Sequence, residues 1–172
     1  AKERIQGTAI TDFGNDAAPK VAIIEHPDVR RMLLWMKSNV ESMRALIYFA
    51  SFAIDKEMTV DDDAEKEKWH GLLEVLTPII KAYCSDVGFK VTELAIQVYG
   101  GYGYCADYPV EQFMRDVKIA SLYEGANGVQ ALDLIGRKLG MKKGAHFMSL
   151  LGEMNATVTK YKEQPELTGL AA

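Results

Sequence analysis

Two short stretches carry residue types that do chemistry. The first is YEGANGVQ (123–130), where one carboxylate, Glu124, sits just before a glycine at a point where the chain must turn. A carboxylate at a helix junction acts as a general base when apolar surroundings exclude water and raise its pKa. It acts equally well as an acid near a helix start, where the positive end of the dipole favours it. The residue types leave both readings open. The second stretch is QVYGGYGY (97–104), which closes a long apolar pattern with glycines and tyrosines. Bare glycine backbone lets a flat or phosphorylated ligand come close, and the same glycines make a helix C-cap followed by a tight turn. The stretch is not the dinucleotide fingerprint, which needs a strand before it and a helix after it.

Other reactive side chains are set aside. None of His26, His70 and His146 is spaced for a metal with another His, Cys or Glu. His26 reads as a helix-entry residue, and His70 and His146 as surface or boundary residues. Cys84 and Cys105 have no metal-ligand spacing and are too few for a disulfide framework, which places the chain in a reducing, cytoplasmic compartment. The acidic run DDDAEKE lacks the ligand spacing of a calcium loop, so Asp62 or Asp63 is read as the cap of the helix that follows.

The elements that must position these stretches are helices. Val29, Leu33, Met36, Val40, Met43, Ile47, Ala50 and Ile54 step by four and three, the seam of a packed helix over 27–56 that opens on Pro27. Trp69, Leu73, Leu76, Ile80, Tyr83, Val87, Val91, Leu94 and Val98 give a second seam. Pro78 inside it predicts a kink or break, and Gly100 and Gly101 end it. A third helix begins at Pro109 with Val110, Phe113, Met114 and Val117 on one face. A fourth carries Val129, Leu132, Ile135 and Leu139 and stops at Gly140. A weakly amphipathic segment covers 145–162, and the tail from Glu163 reads as disordered or as a linker. Residues 8–25 have no helical period and read as a loop, and no strand pattern is evident. The predicted class is all-α: a four-helix up-and-down bundle with an additional C-terminal helix.

With 172 residues, this is one domain of ordinary size. A net charge of -4 argues against nucleic-acid phosphates as the partner. No apolar run is long enough for a membrane span. The opening AKERIQG has no initiator methionine and no signal-peptide pattern, which predicts a piece of a longer protein.

Residues 96–139, IQVYGGYGYCADYPVEQFMRDVKIASLYEGANGVQALDLIGRKL, closely resemble the C-terminal helical domain of the flavin-dependent acyl-CoA dehydrogenases. Gln, a Gly-Gly-x-Gly turn, Tyr-Pro, Arg-Asp and Tyr-Glu-Gly occur in the family's order and spacing. KERIQG resembles the family's entry to this domain. The resemblance covers most of the chain but only the last of the family's three domains. It implies 1–142 as the helical bundle domain and 143–172 as the start of a C-terminal extension, like that of the larger bacterial members, some of which act on methylthio-propionyl-CoA.

The resemblance also implies roles. Glu124 would be the base that removes the α-proton of an acyl-CoA thioester, giving a trans-2-enoyl-CoA. Tyr123 would line the acyl pocket, and Gly125 would let backbone pass close to thioester and flavin. Gln97, Gly100, Gly101 and Arg4 would contact the FAD of a neighbouring subunit in a homo-oligomer. Arg115 and Asp116 would form an internal charge pair ahead of the Glu124 turn. Electrons would pass to an electron-transfer flavoprotein. An acyl-CoA oxidase of the same fold and a non-catalytic helical interaction module are the rival readings. The sequence departs from the family at Ala126, where threonine is usual, and at Asn127 and Gly128, near the cofactor.

Overall fold

The computed structural model describes residues 1–162 and Gln164. The tail predicted from Glu163 lies, Gln164 aside, outside the described residues. The described residues are all-α apart from one small hairpin, β1 (Ile5–Thr8) and β2 (Lys20–Ala22). The helices are α1 (Pro27–Thr59), α2 (Asp63–Tyr99), α3 (Val110–Lys118), α4 (Asn127–Gly136) and α5 (Ala145–Tyr161). No helix among the described residues is long and apolar enough to cross a membrane. The chain divides into two compact units. One comprises Ala1–Ala45 with Tyr83–Glu124, the other Leu46–Ala82 with the residues from Gly125 onward.

The hairpin corrects the reading of 8–25 as a loop without strands. β1 and β2 pair antiparallel, Ile5 opposite Ala22 and Thr8 opposite Lys20, so β1 holds one extra residue between the two pairs. Gly7 takes the positive φ of 73° within that bulge. The imidazole of His26 sits against it, with Nε2 2.7 Å from the Gln6 carbonyl oxygen. Strands this short, interrupted by a bulge, leave no alternating pattern to read.

α2 starts as predicted, with Asp62 Oδ1 accepting from the Glu65 amide at 2.7 Å. Pro78 does not end it: the helix continues through that residue for 37 residues in all. An interior proline costs about 3 kcal/mol. Leu72, Val75 and Leu76, in the turns just before it, are among the most buried side chains of the chain, and their packing offsets that cost. The predicted seams locate the helices but not their deepest residues. In α1 the buried positions are Met32 and Ala53, while the seam residues Ile47 and Ile54 are 45% and 46% exposed. Apolar residues occur on more than one stripe of α1, so periodicity alone could not choose among the faces.

α4 ends at Gly136, earlier than the predicted stop at Gly140. A short 3-10 segment, Lys138–Gly144, follows, with Lys142 and Lys143 in the left-handed region at φ 47° and 59°. Ion pairs hold this connection. The Lys138 ammonium, buried, pairs with Glu74, and Lys142 pairs with Glu67. Each lysine holds its partner carboxyl below the usual glutamate range.

His146 is a correction. It is 5% exposed rather than a surface residue, and its Nε2 lies 3.5 Å from Glu67 Oε1. The ring occupies the space that a side chain at Gly71 would need: a Cβ there would lie 1.9 Å from Nδ1. Gly71→Ala is therefore expected to destabilise the chain by about 1–3 kcal/mol through overpacking, although Gly→Ala within a helix is ordinarily stabilising. Urea unfolding of the purified chain checks the sign.

Candidate functional site

Two features account for the residues singled out in the sequence, and they are separate. The first is a groove in the unit that contains both chain segments 1–45 and 83–124. Gln97 stands in the last turn of α2. Gly100 then turns the chain at φ 66°, and Gly100–Tyr104 forms a short 3-10 turn. That turn folds tightly back on the helix: at buried Gly103 an added Cβ would lie 2.7 Å from the Ile96 carbonyl oxygen. Arg4, just ahead of β1, is fixed through its backbone, whose carbonyl accepts from the Ile23 amide at 2.8 Å. Its guanidinium stands 5.8 Å from the centroid of the Tyr102 ring.

Arg4, Gln97, Gly100 and Gly101 all line this one groove of about 1210 Å³. An added Cβ at Gly100 or Gly101 would meet nothing within 4 Å, so both present open backbone. A fork of guanidinium donors beside bare backbone is suited to a phosphate or diphosphate. Aromatic walls complete the groove and were not singled out from sequence. The Tyr108 ring lies edge-on to Tyr99 at 5.7 Å and to Tyr102 at 5.8 Å, centroid to centroid. Their signal was present as the tyrosines of YGGYGYCADY, whose contacts only the fold could pair.

The second feature is the turn after α3. The Leu122 and Tyr123 amides both donate to the Ile119 carbonyl, at 2.9 and 3.1 Å. Glu124 and Gly125 then follow with φ 53° and 87°. The left-handed region costs a non-glycine residue roughly 1–2 kcal/mol. Gly125 avoids that cost, and its lack of a side chain leaves room for the Gln130 amide, which would lie 2.7 Å from a Cβ there. Tyr123 and Glu124 are exposed. The apolar burial that a desolvated base requires is therefore not provided around Glu124 by the described residues. Neither residue lines the groove.

Glu124 stands two residues before the N-cap of α4. The N-cap of α4 is Ala126, which has no side-chain cap bond, and the first turn of α4 has no acidic residue. Ala126 has φ -54° and ψ 155°, an extended N-cap geometry, and its carbonyl accepts from Val129 and Gln130 at 2.8 and 3.1 Å. A threonine hydroxyl at this N-cap position would be placed to accept from an amide of the first turn. Ala126→Thr is expected to stabilise the chain by about 0.5–2 kcal/mol, raising the thermal midpoint by a few degrees in calorimetry.

α4 is instead held by side chains beyond its cap. Asn127 Oδ1 accepts from Lys81 Nζ at 2.9 Å, and Asn127 Nδ2 donates to the Ala82 carbonyl at 3.3 Å. Gln130 Nε2 donates to the Gly125 carbonyl at 3.4 Å. The expected Arg115–Asp116 pair is corrected: Arg115 makes a two-pronged contact with Glu111, at 2.9 and 3.2 Å, one turn back on α3. Residues four apart share a helix face, whereas neighbours in sequence do not.

Comparison with known proteins agrees with the sequence motifs. Residues 3–140 match the family model described as "Acyl-CoA dehydrogenase, C-terminal domain". The chain is 40% identical over 166 residues to a butyryl-CoA dehydrogenase of Syntrophomonas wolfei, covering 96% of this chain and 27% of that protein. A broad-specificity linear acyl-CoA dehydrogenase of Mycobacterium tuberculosis is 36% identical over 92% of this chain and 26% of its own length. A 3-methylmercaptopropionyl-CoA dehydrogenase of Ruegeria pomeroyi is 36% identical over 91% of this chain and 26% of its own length. The chain thus spans about a quarter of the length of the curated relatives it matches.

Proposed function

The chain belongs to the acyl-CoA dehydrogenase family, as its C-terminal domain, and from that membership we propose that it serves an FAD-dependent enzyme that desaturates acyl-CoA thioesters to trans-2-enoyl-CoA. The observation that carries the reading is Glu124: a carboxylate in a left-handed turn, exposed and outside the first turn of α4. Its carboxylate takes the α-proton, the β-hydrogen departs with its electron pair, and the carbon–carbon double bond forms between the two positions. Tyr123 stands beside the acyl chain, and Gly125 lets the backbone pass close to the thioester. FAD, when bound, supplies the hydride acceptor, and an electron-transfer flavoprotein reoxidises it.

Arg4, Gln97, Gly100 and Gly101 fit the diphosphate part of FAD, since the groove offers a cation and open backbone between tyrosine walls. That groove excludes Glu124, in keeping with cofactor contacts that serve a neighbouring subunit while Glu124 serves its own. Exposure of Glu124 fits the same arrangement, with substrate, flavin and other parts of the enzyme supplying the water exclusion a base needs. The substrate is an acyl-CoA, the class named for the relatives above.

The decisive experiment is anaerobic addition of butyryl-CoA to the full-length flavoprotein. Bleaching of the flavin band is the expected result, and an unchanged spectrum across short, medium and methylthio acyl-CoAs defeats the reading. Slow reoxidation of the reduced enzyme by air, without stoichiometric peroxide, separates a dehydrogenase from an oxidase.

Self-association is expected as well. On α4, Val129, Leu132 and Ile135 lie at three-residue spacing and are 55%, 75% and 73% exposed. Such an apolar face marks an interface. Sedimentation of the chain should show association at micromolar concentration, and Leu132→Glu should weaken it.

A further inference from the structure

Resting on the assignment of Glu124 as the base, we propose that Lys81 and Asn127 form a lock that positions the turn carrying it. Asn127 is the first residue of α4 and lies three residues after Glu124. Both polar atoms of its amide are engaged: Oδ1 accepts from Lys81 Nζ at 2.9 Å, and Nδ2 donates to the Ala82 carbonyl at 3.3 Å. The two partners are consecutive residues of α2. An amide held at both ends by one helix has one position and one orientation. From the other side, Gln130 Nε2 bonds the Gly125 carbonyl at 3.4 Å. All of these bonds are part-buried, so water competes with them weakly.

The segment from Gly125 to Asn127 is therefore tied to α2 by side chains, and one peptide bond joins it to Glu124. The backbone of Glu124 is left-handed at φ 53°. A non-glycine residue persists there when its surroundings over-determine the conformation. The lock supplies that determination next to an N-cap, Ala126, whose own side chain makes no cap bond. Lys81 and Asn127 act through Glu124 and are positioning residues.

A base displaced by a fraction of an ångström from its proton loses rate rather than substrate affinity. The test uses Lys81→Met, Asn127→Ala and their double variant in the full-length flavoprotein. Four quantities are read: flavin-reduction rate at saturating butyryl-CoA, substrate dissociation constant, α-deuterium isotope effect, and amide exchange of the 119–130 peptide by mass spectrometry. Each single variant is expected to slow saturating reduction by roughly 10- to 100-fold with little change in substrate affinity. The isotope effect should rise and the turn amides should exchange faster. The double variant should be no slower than the slower single one, because both delete the same bond. Asn127→Asp keeps the acceptor for Lys81 and should retain more rate than Asn127→Ala.

Reduction rates near the parental value in both single variants, or losses that multiply in the double variant, overturn the lock. Glu124→Gln in the same series separates the two levels. If that variant reduces flavin at the parental rate, the base assignment falls and takes the lock with it. If it is inactive while Lys81 and Asn127 prove dispensable, the lock alone falls.

Discussion

Glu124→Gln in the full-length enzyme is expected to reduce its flavin on the order of 10²–10⁴ more slowly than the parent, the usual cost of losing a general base. The amide is nearly isosteric with the carboxylate, so acyl-CoA should still bind and the defect should lie in the saturating rate. Cofactor content should be unchanged, because Glu124 is not among the residues that line the groove. The competing account treats Glu124 as an acid that steadies a helix start. It forecasts a small loss of stability and a parental reduction rate. The N-cap position of α4 is Ala126, and Glu124 stands two residues before it, ahead of the first turn. A dipole interaction falls off within that turn. Stopped-flow reduction by saturating butyryl-CoA decides the matter, and a Gln variant at near-parental rate removes Glu124 from the chemistry.

The helices were legible because long amphipathic runs and their punctuation are local properties. Pro27 opening α1, Asp62 capping α2 and Gly100 closing it each act within a turn of their own position. What escaped was set by distant partners. Pro78 passes unbroken where buried neighbours outweigh a local penalty. His146 is buried because Gly71, far away in sequence, leaves a recess for its ring. Arg115 turns to Glu111 rather than Asp116 because helix geometry, and not adjacency, decides which side chains meet. The hairpin at 5–22 was missed because its strands are shorter than any pattern they could display.

The site divides along the same line. The glycine turn and the Tyr-Glu-Gly turn are visible as strings, since each needs backbone that only particular residues allow. That Arg4 reaches the groove of Gln97, Gly100 and Gly101 depends on the hairpin, which fixes the Arg4 backbone against Ile23. Glu124 is exposed among the described residues, because local sequence does not determine which surfaces cover a turn.

Arg4 gives the second large effect. Arg4→Ala in the full-length enzyme is expected to weaken FAD binding by about ten- to a hundredfold, corresponding to loss of a charge-assisted contact worth about 1.5–3 kcal/mol. The side chain is exposed and lies over Tyr102 at the edge of the groove, so its removal leaves no buried group unpaired. The fold should therefore survive, and the melting temperature of the apoprotein should hardly move. Because the groove is separate from the Glu124 turn, the variant saturated with FAD should reduce its flavin at close to the parental rate, the reverse of the Glu124→Gln pattern. Arg4→Lys retains the charge but not the planar fork, and it should fall between the two. Fluorescence titration of apoprotein with FAD measures all three affinities. If a neighbouring subunit's cofactor is the one contacted, the loss should also be accompanied by weaker FAD-dependent association in sedimentation. Unchanged FAD affinity in Arg4→Ala would falsify the assignment of this groove to the cofactor, while leaving the role of Glu124 to be judged on its own variant.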